Sequence, residues 1–143
     1  MSDSAENSMK SFNEKLIDEY RATGGKVTGD FAGAPLLLLT TIGSKSGLPR
    51  TVPIVYGTDG DEIYVIASMA GAPKDPAWFN NLVAHPEVTV ELGEQTFTAT
   101  AVVVDRGERD RLYAEQVAVM PGFADYEKKT TRVIPVIKLI RAV

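Results

Sequence analysis

Hydrophobic residues near the start of the chain follow a helical period. Phe12, Leu16 and Tyr20 recur every four residues, so they fall on one face of a helix predicted for residues 9–22. A Gly-Gly pair ends this helix, because glycine readily adopts the backbone conformation that closes a helix C-terminus. The pattern predicts an amphipathic helix whose apolar stripe packs against the rest of the fold.

Six later segments show the short apolar runs or the alternation typical of β-strands. They cover residues 36–41, 51–56, 63–67, 88–92, 96–104 and 134–140. Asp59-Gly60 and Gly93-Glu94 separate neighbouring segments and predict hairpin turns. Pro53 lies inside the second segment and predicts an edge strand or a bulge, because proline has no amide hydrogen for a strand ladder.

Three more helices are predicted between and after the strands, over about 76–84, 105–119 and 124–130. Asp75 is predicted to cap the first of them, with Pro76 at its first position. Asp105 and Glu108 form a capping-box pattern at the start of the second. Because the strands follow one another mostly as hairpins, we predict an α+β fold: an antiparallel sheet or small barrel with helices outside it.

Composition narrows the class of protein. A chain of 143 residues with 44% hydrophobic residues is predicted to form one domain, which covers residues 9–143. Residues 1–8 are small and polar, and we predict that they are disordered. The chain contains no cysteine, which excludes disulfides, thiolate nucleophiles and cysteine-ligated metals. His85 is the only histidine, and its place at a predicted helix end favours a cap over a metal ligand, so no metal site is predicted.

Charge and hydropathy exclude further classes. The formal net charge of −4 argues against non-specific nucleic-acid binding, which needs a basic face. The first ten residues contain no apolar stretch and do not read as a signal peptide. The longest apolar run, residues 35–39, is too short to span a bilayer. We expect a soluble, cytoplasmic protein.

One turn carries a candidate anion site. Residues 43–50 read GSKSGLPR and place Lys45 and Arg50 between two predicted strands of an acidic chain. Backbone N–H groups near Gly43 and Gly47 are expected to point at the anion, beside a compact charge from Lys45 and a fork of donors from Arg50. From the residues alone, a solvated surface turn is the commoner interpretation, and the P-loop pattern is absent.

The other residues supply no evident acid–base or nucleophilic group, since no serine has the context of a nucleophile elbow. Trp78 fits either the core or a platform for a cofactor. Met120, Phe123 and Tyr126 fit either a packed corner or a pocket wall. An anion site without catalytic groups favours an enzyme whose cofactor supplies the chemistry.

Three separated segments resemble one known family. They are APLLLLTTIGSKSGLPRTVPIVY, IASMAGAPKDPAWFNNLVAHPEV and VAVMPGFADYEKKTTRVIPVI, in this order. They are similar to the deazaflavin-dependent nitroreductases, oxidoreductases of actinobacteria including mycobacteria. The resemblance runs from about Phe12 to the C-terminus. It implies a split β-barrel and, as cofactor, coenzyme F(420), an 8-hydroxy-5-deazaflavin with a phosphate and an oligoglutamate tail.

The resemblance also implies site residues. Lys45 and Arg50 grip the cofactor's phosphate, the strand at 51–55 lies along the deazaflavin, and residues 66–69 and 77–81 approach it. The implied cofactor-binding residues are Ser44, Lys45, Ser46, Arg50, Thr51, Val52, Pro53, Ile54, Val55, Ile66, Ala67, Ser68, Met69, Ala77, Trp78, Phe79 and Asn81.

The implied substrate residues are Met120, Phe123 and Tyr126, where some relatives carry tyrosines, and Met69 replaces a lysine of some members. The expected acceptors of the hydride are activated C=C bonds of enones, coumarin-like lactones such as aflatoxins, or quinones. The two missing hydroxyls disfavour nitro reduction. Tyr126 and Ser68 are the candidate catalytic residues, as proton donors, and water is the alternative.

The resemblance implies partners as well: a small-molecule substrate, and an F(420)-reducing dehydrogenase that resupplies the reduced cofactor. We expect a monomer or a weak homodimer, and membrane contact through the N-terminal segment stays open. Two alternatives remain. One is a flavin mononucleotide (FMN) enzyme on a similar split barrel, and the other is a non-catalytic carrier of the deazaflavin or of a lipid.

Overall fold

The computed structural model describes the backbone of residues 2–142 and the side chains of residues 12–29 and 31–142. Within these residues the chain forms six β-strands and four α-helices. They are α1 (Ser2–Thr23), β1 (Leu36–Ile42), β2 (Pro49–Asp59), β3 (Glu62–Ile66), α2 (Ala77–Ala84), β4 (Glu87–Leu92), β5 (Gln95–Val103), α3 (Arg106–Val119), α4 (Gly122–Lys128) and β6 (Val136–Arg141). The predicted strands and helices are all present; α1 begins seven residues earlier than predicted, and the other ends are shifted by three residues or fewer.

The six strands close into an antiparallel barrel in the order β1-β2-β3-β6-β5-β4. This confirms the predicted fold class. The barrel interior is filled by aliphatic side chains from alternate strand positions, among them Leu37, Leu39, Val65, Val90 and Ile137. Alternation places one face of each strand inside, and burial of these apolar surfaces is the main favourable term for closing the barrel.

The strand β1 is apolar on both faces because both are covered. Leu37 and Leu39 point into the barrel, whereas Leu36 and Leu38 pack against Leu16, Ile17 and Tyr20 of α1. The four leucines are therefore all buried. A strand buried on both faces reads as a continuous hydrophobic run, which is the pattern that the sequence shows here.

A buried tyrosine anchors the end of α1. The Tyr20 hydroxyl donates to the carbonyl of Leu36 at 3.1 Å and accepts from the N–H of Gly93 at 2.8 Å. The helix reaches back to Ser2 and so includes most of residues 1–8. The side chains of that segment lie outside the described residues, and its disorder in solution stays a prediction.

The strand β2 changes partner along its length. Residues 49–55 pair with β1, and residues 56–59 pair with β3. Pro53 lies opposite Leu38 of β1, in the part of β2 that has no described ladder on its β3 side. The missing proline N–H therefore leaves no gap in a ladder, and the predicted edge position is confirmed locally.

Two predicted helix caps have different outcomes. The Asp105 carboxylate accepts from the backbone N–H of Glu108 at 2.9 Å, so this N-cap is confirmed. The prediction for Asp75 is wrong: α2 begins at Ala77, with Pro76 at the N-cap position. The carboxylate of Asp75 instead accepts from Arg132 at 2.9 Å, a partner distant in sequence.

The helices α3 and α4 pack on the outside of the barrel over β3 and β6. Tyr113 is buried there and donates its hydroxyl to the carbonyl of Phe123 at 2.6 Å. Burial raises the pKa of Tyr113 to about 12, so the hydroxyl remains a donor at neutral pH. No described helix combines the length and the hydropathy needed to cross a bilayer.

Candidate functional site

A cleft of about 950 Å³ lies where α1, the turn between β1 and β2, the start of β2, and α2 meet. This volume falls in the range of small-molecule and cofactor pockets. Its lining residues are Asn13, Glu14, Ile17, Gly43, Ser44, Lys45, Ser46, Pro49, Arg50, Thr51, Val52, Ala77, Trp78, Asn80 and Asn81. Nine of these were predicted as cofactor-binding residues: Ser44, Lys45, Ser46, Arg50, Thr51, Val52, Ala77, Trp78 and Asn81.

The turn at residues 43–48 is closed by its own hydrogen bonds. The N–H of Gly43 donates to the carbonyl of Leu48 at 2.8 Å, and the N–H of Gly47 donates to the carbonyl of Gly43 at 2.9 Å. Gly47 has a φ of +71°, a conformation that favours glycine. The turn thus uses the N–H groups of both glycines internally, and an anion contact by other N–H groups near them stays a prediction.

The two cations of the turn have no partner among the residues whose side chains the structure describes. Within the described part of the chain, neither Lys45 nor Arg50 makes a salt bridge or a side-chain hydrogen bond. Every other arginine described donates to a carboxylate, a carbonyl or an amide oxygen. Two exposed cations that line a cleft and form no salt bridge with the described residues are the donor set expected for an anionic ligand.

A buried amide from α2 holds the turn in place. Asn81 is 7% exposed; its Oδ1 accepts from the N–H of Ser44 at 2.9 Å and its Nδ2 donates to Oγ1 of Thr41 at 3.1 Å. Both polar ends of this side chain are thus bonded to the first strand and the turn. Its predicted role as a cofactor contact stays a prediction, and its geometry adds a supporting role.

Three residues that line the cleft were not predicted from the sequence. Asn13, Glu14 and Ile17 line the cleft from α1. Their position depends on how α1 packs over β1, through Leu16 and Tyr20, and no local motif marks it. The helical period alone places Ile17 beside the buried stripe but does not say which other element it faces.

The remaining predicted cofactor residues lie next to the cleft or behind it. Ile54 and Phe79 pack against the barrel core, and Val55 packs against the α1 cluster. Pro53 continues β2, and Ile66 and Ala67 are buried at the end of β3. None of them lines the cleft, so their contacts with a cofactor stay predictions.

The predicted proton donors and substrate residues form a second group. Ser68 and Met69 begin the loop after β3, and Gly71 of that loop packs under α4, where a Cβ would lie 2.8 Å from the carbonyl of Tyr126. The structure thus brings the loop of Ser68 against the helix of Tyr126. Phe123 is buried and meets the Tyr126 ring edge-on at 5.2 Å.

Met120 completes this second group at the end of α3, partly buried against the same cluster. Its Sδ accepts from the side-chain amide of Gln116 at 3.4 Å. Met120, Phe123 and Tyr126 were predicted to form either a packed corner or a pocket wall. The two interpretations are compatible, because side chains that pack in a corner can also contact a ligand on one side. None of these three residues lines the cleft.

A family model and a curated relative each match most of this chain. The family model described as F(420)H(2)-dependent quinone reductase matches residues 14–140. An F(420)H(2)-dependent quinone reductase of Mycobacterium tuberculosis is 36% identical over 126 residues, which are 85% of this chain and 85% of that protein.

Two solved structures are also similar to this chain. An F(420)H(2)-dependent reductase called FDR-A has a TM-score of 0.67 and 36% identity, and the match covers 73% of this chain and 93% of that one. A chain described as a domain-swapped dimer has a TM-score of 0.69 and 32% identity, over 96% of this chain and 98% of that one.

We predict that Asn81→Ala loosens the turn while the barrel stays folded. The variant removes the acceptor for the N–H of Ser44, and a hydrogen bond lost at a buried site typically costs about 1–3 kcal/mol. The exchange rate of the Ser44 amide should therefore rise by roughly tenfold or more. Amide hydrogen exchange followed by NMR measures this without any ligand.

Asn80→Ala is the matched control, because Asn80 is the neighbouring asparagine of α2 and also lines the cleft, but it is exposed. Equal exchange rates for Ser44 in the two variants would contradict the supporting role of Asn81.

Proposed function

The chain belongs to the F(420)H(2)-dependent quinone reductase family, and we propose that it transfers hydride to quinones and to flat, apolar enones or lactones. It is an oxidoreductase, and reduced coenzyme F(420) is the hydride donor of its family. We propose which compounds accept the hydride, and which residues bind the cofactor, bind the acceptor and supply the proton.

One observation carries the proposal: Lys45 and Arg50 line the cleft, and neither forms a salt bridge with a described residue, although the carboxylate of Glu14 lines the same cleft. The cofactor carries a phosphate and a tail of carboxylates, and charge-assisted hydrogen bonds to such groups are stronger than neutral ones. The arginine fork suits a phosphate, and the lysine adds a compact charge. A local pair of cations on a chain of net charge −4 is thus explained by the ligand.

The apolar wall of the cleft suits the ring system. Val52 from β2 and Trp78 from α2 line the same cleft as the two cations. The flat aromatic surface of Trp78 can stack on a flat ring and exclude water from it, and Val52 adds apolar surface. The proposed ring site therefore lies between β2 and α2, at the part of β2 that has no described partner on its β3 side.

When bound, the reduced deazaflavin supplies a hydride to a quinone or to the β-carbon of an enone, and the acceptor's oxygen then takes up a proton. The chain's part is to hold the acceptor and to supply that proton. The hydroxyls of Ser68 and Tyr126 make no hydrogen bond to the described protein atoms, so both are free to point at the acceptor. A positioned donor stabilises the negative charge that develops on this oxygen.

The acceptor site proposed here is lined by Met120, Phe123 and Tyr126. Their apolar surfaces favour flat, uncharged substrates, and this is why quinones, enones and coumarin-like lactones are preferred over nitro compounds. The reaction consumes reduced cofactor, so the proposal includes a separate F(420)-reducing dehydrogenase that regenerates it. A cytoplasmic location and a monomer or weak homodimer stay predictions.

The first prediction is that the protein reoxidises reduced coenzyme F(420) only when a quinone or a cyclic enone is added. The absorbance of the oxidised cofactor reports the reaction, with reactions lacking protein or acceptor as controls. Binding without turnover on either acceptor would indicate a carrier. Binding of FMN in place of coenzyme F(420) would indicate a flavin enzyme on the same fold.

The second prediction is that Lys45→Ala and Arg50→Ala weaken cofactor binding and leave the rate at saturating cofactor largely unchanged. Each lost charge-assisted bond is worth about 1.5–3 kcal/mol, or roughly 10- to 150-fold in Kd. Fluorescence titration with the cofactor measures the Kd. Lys26→Ala and Arg106→Ala are the matched controls, since these are exposed cations that do not line the cleft. An unchanged Kd in both cleft variants would refute the anion site.

The third prediction concerns proton delivery. The double variant Ser68→Ala with Tyr126→Phe should lower kcat by roughly a hundredfold, the usual effect of removing a positioned donor, without changing cofactor affinity. The two single variants show which hydroxyl donates the proton. The solvent isotope effect on kcat should rise in the variant that lacks this hydroxyl. A double variant with the wild-type kcat would mean that water supplies the proton.

A further inference from the structure

Arg132 occupies the space between β3, α2 and the loop that joins them. Its side chain is 14% exposed and donates to four acceptors. They are the carbonyl of Ala72 at 2.8 Å, the carbonyl of Ala67 at 3.1 Å, the carbonyl of Ser68 at 2.7 Å and the carboxylate of Asp75 at 2.9 Å. All four acceptors lie in residues 67–75, so one side chain defines the path of that whole loop.

The loop needs such support because of its backbone. Met69 and Ala70 have φ values of +47° and +52°, and among the described residues they are the ones with a Cβ in the left-handed region. This conformation is unfavourable for residues that carry a Cβ, and it persists only where the surroundings determine it. The bonds from Arg132 to the carbonyls on either side of Met69 and Ala70 are those surroundings.

We propose that Arg132 is a positioning residue for hydride and proton transfer, which rests on the function proposed above. It holds Ser68 and Met69 where the reacting end of the cofactor and the acceptor meet. Through Asp75 it also fixes the start of α2, whose Ala77 and Trp78 line the cleft. A single guanidinium thus sets the distance between the proton donor and the wall of the cofactor site.

A second arginine with little exposure has a different set of acceptors. The side chain of Arg109 is 8% exposed and donates to the carbonyl of Ile134 and to the carboxylates of Asp110 and Glu127. None of its acceptors lies in residues 67–75. Replacing Arg109 therefore disturbs a polar network with three acceptors and removes no hydrogen bond from residues 67–75, which makes it the matched control.

The test compares Arg132→Lys with Arg109→Lys in the full chain. Lysine keeps the charge but offers its donors from a single atom, so it cannot serve four acceptors spread over residues 67–75. With reduced coenzyme F(420) bound at saturation, the single-turnover rate of hydride transfer to a quinone should fall roughly tenfold to a hundredfold in Arg132→Lys. Its cofactor Kd should stay near that of the wild type, because Lys45 and Arg50 are intact.

Two readouts do not depend on activity. Trp78 is the only tryptophan of the chain, and its emission should change in Arg132→Lys because the start of α2 moves. The amides of Gly71 and Ala72, which bond to the carbonyls of Ser68 and Met69, should exchange faster in the same variant. Arg109→Lys should change neither, although its melting temperature falls.

The outcomes separate the two proposals. A wild-type protein that binds the cofactor and turns over no acceptor would reject the proposed function and, with it, this inference. An active wild type with Arg132→Lys at the wild-type transfer rate would reject the inference alone. The inference would also be rejected if the transfer rate, the Trp78 emission and the amide exchange changed no more in Arg132→Lys than in Arg109→Lys.

Discussion

The pairing of β2 first with β1 and then with β3 is the constraint on which the site depends. The β1–β2 register sets Arg50 opposite Thr41 and closes the hairpin with the turn that carries Lys45. The ladder to β3 starts only at Tyr56, so the first part of β2 keeps one side without a described strand partner. Proline is tolerated at position 53 for this reason, and the same interruption leaves room for a ligand beside the strand.

Polar side chains then fix α2 against this opening at two points. Asn81, in the middle of the helix, bonds to the turn through Ser44, and Asp75, just before the helix, bonds to Arg132. Apolar packing alone is non-directional and would let a helix of this length slide. Hydrogen bonds at these two points specify its position, so the wall that α2 contributes to the cleft and the loop of Ser68 have a defined relation to the cations of the turn.

Local patterns were sufficient to predict much of this architecture. Hairpin turns, alternating strands, Pro53 and the Asp105 cap depend on neighbours in sequence, and the structure has all of them. Contacts between distant residues could not be predicted. Arg132 bonds to residues about sixty positions earlier and takes the carboxylate of Asp75 away from its expected cap. The α1 wall of the cleft was missed for the same reason, since it depends on how Leu16 and Tyr20 pack.

The unpaired cations of the turn also have an energetic meaning. The chain is acidic and its other described arginines are all bonded, yet Lys45 and Arg50 line the same cleft and form no salt bridge with a described residue. Mutual repulsion makes this arrangement unfavourable for the protein alone. An anionic ligand relieves it on binding, whereas a carboxylate from the protein would have to be displaced first. The turn thus costs the free protein a little stability and favours ligand binding, because no described carboxylate has to be displaced from its two cations.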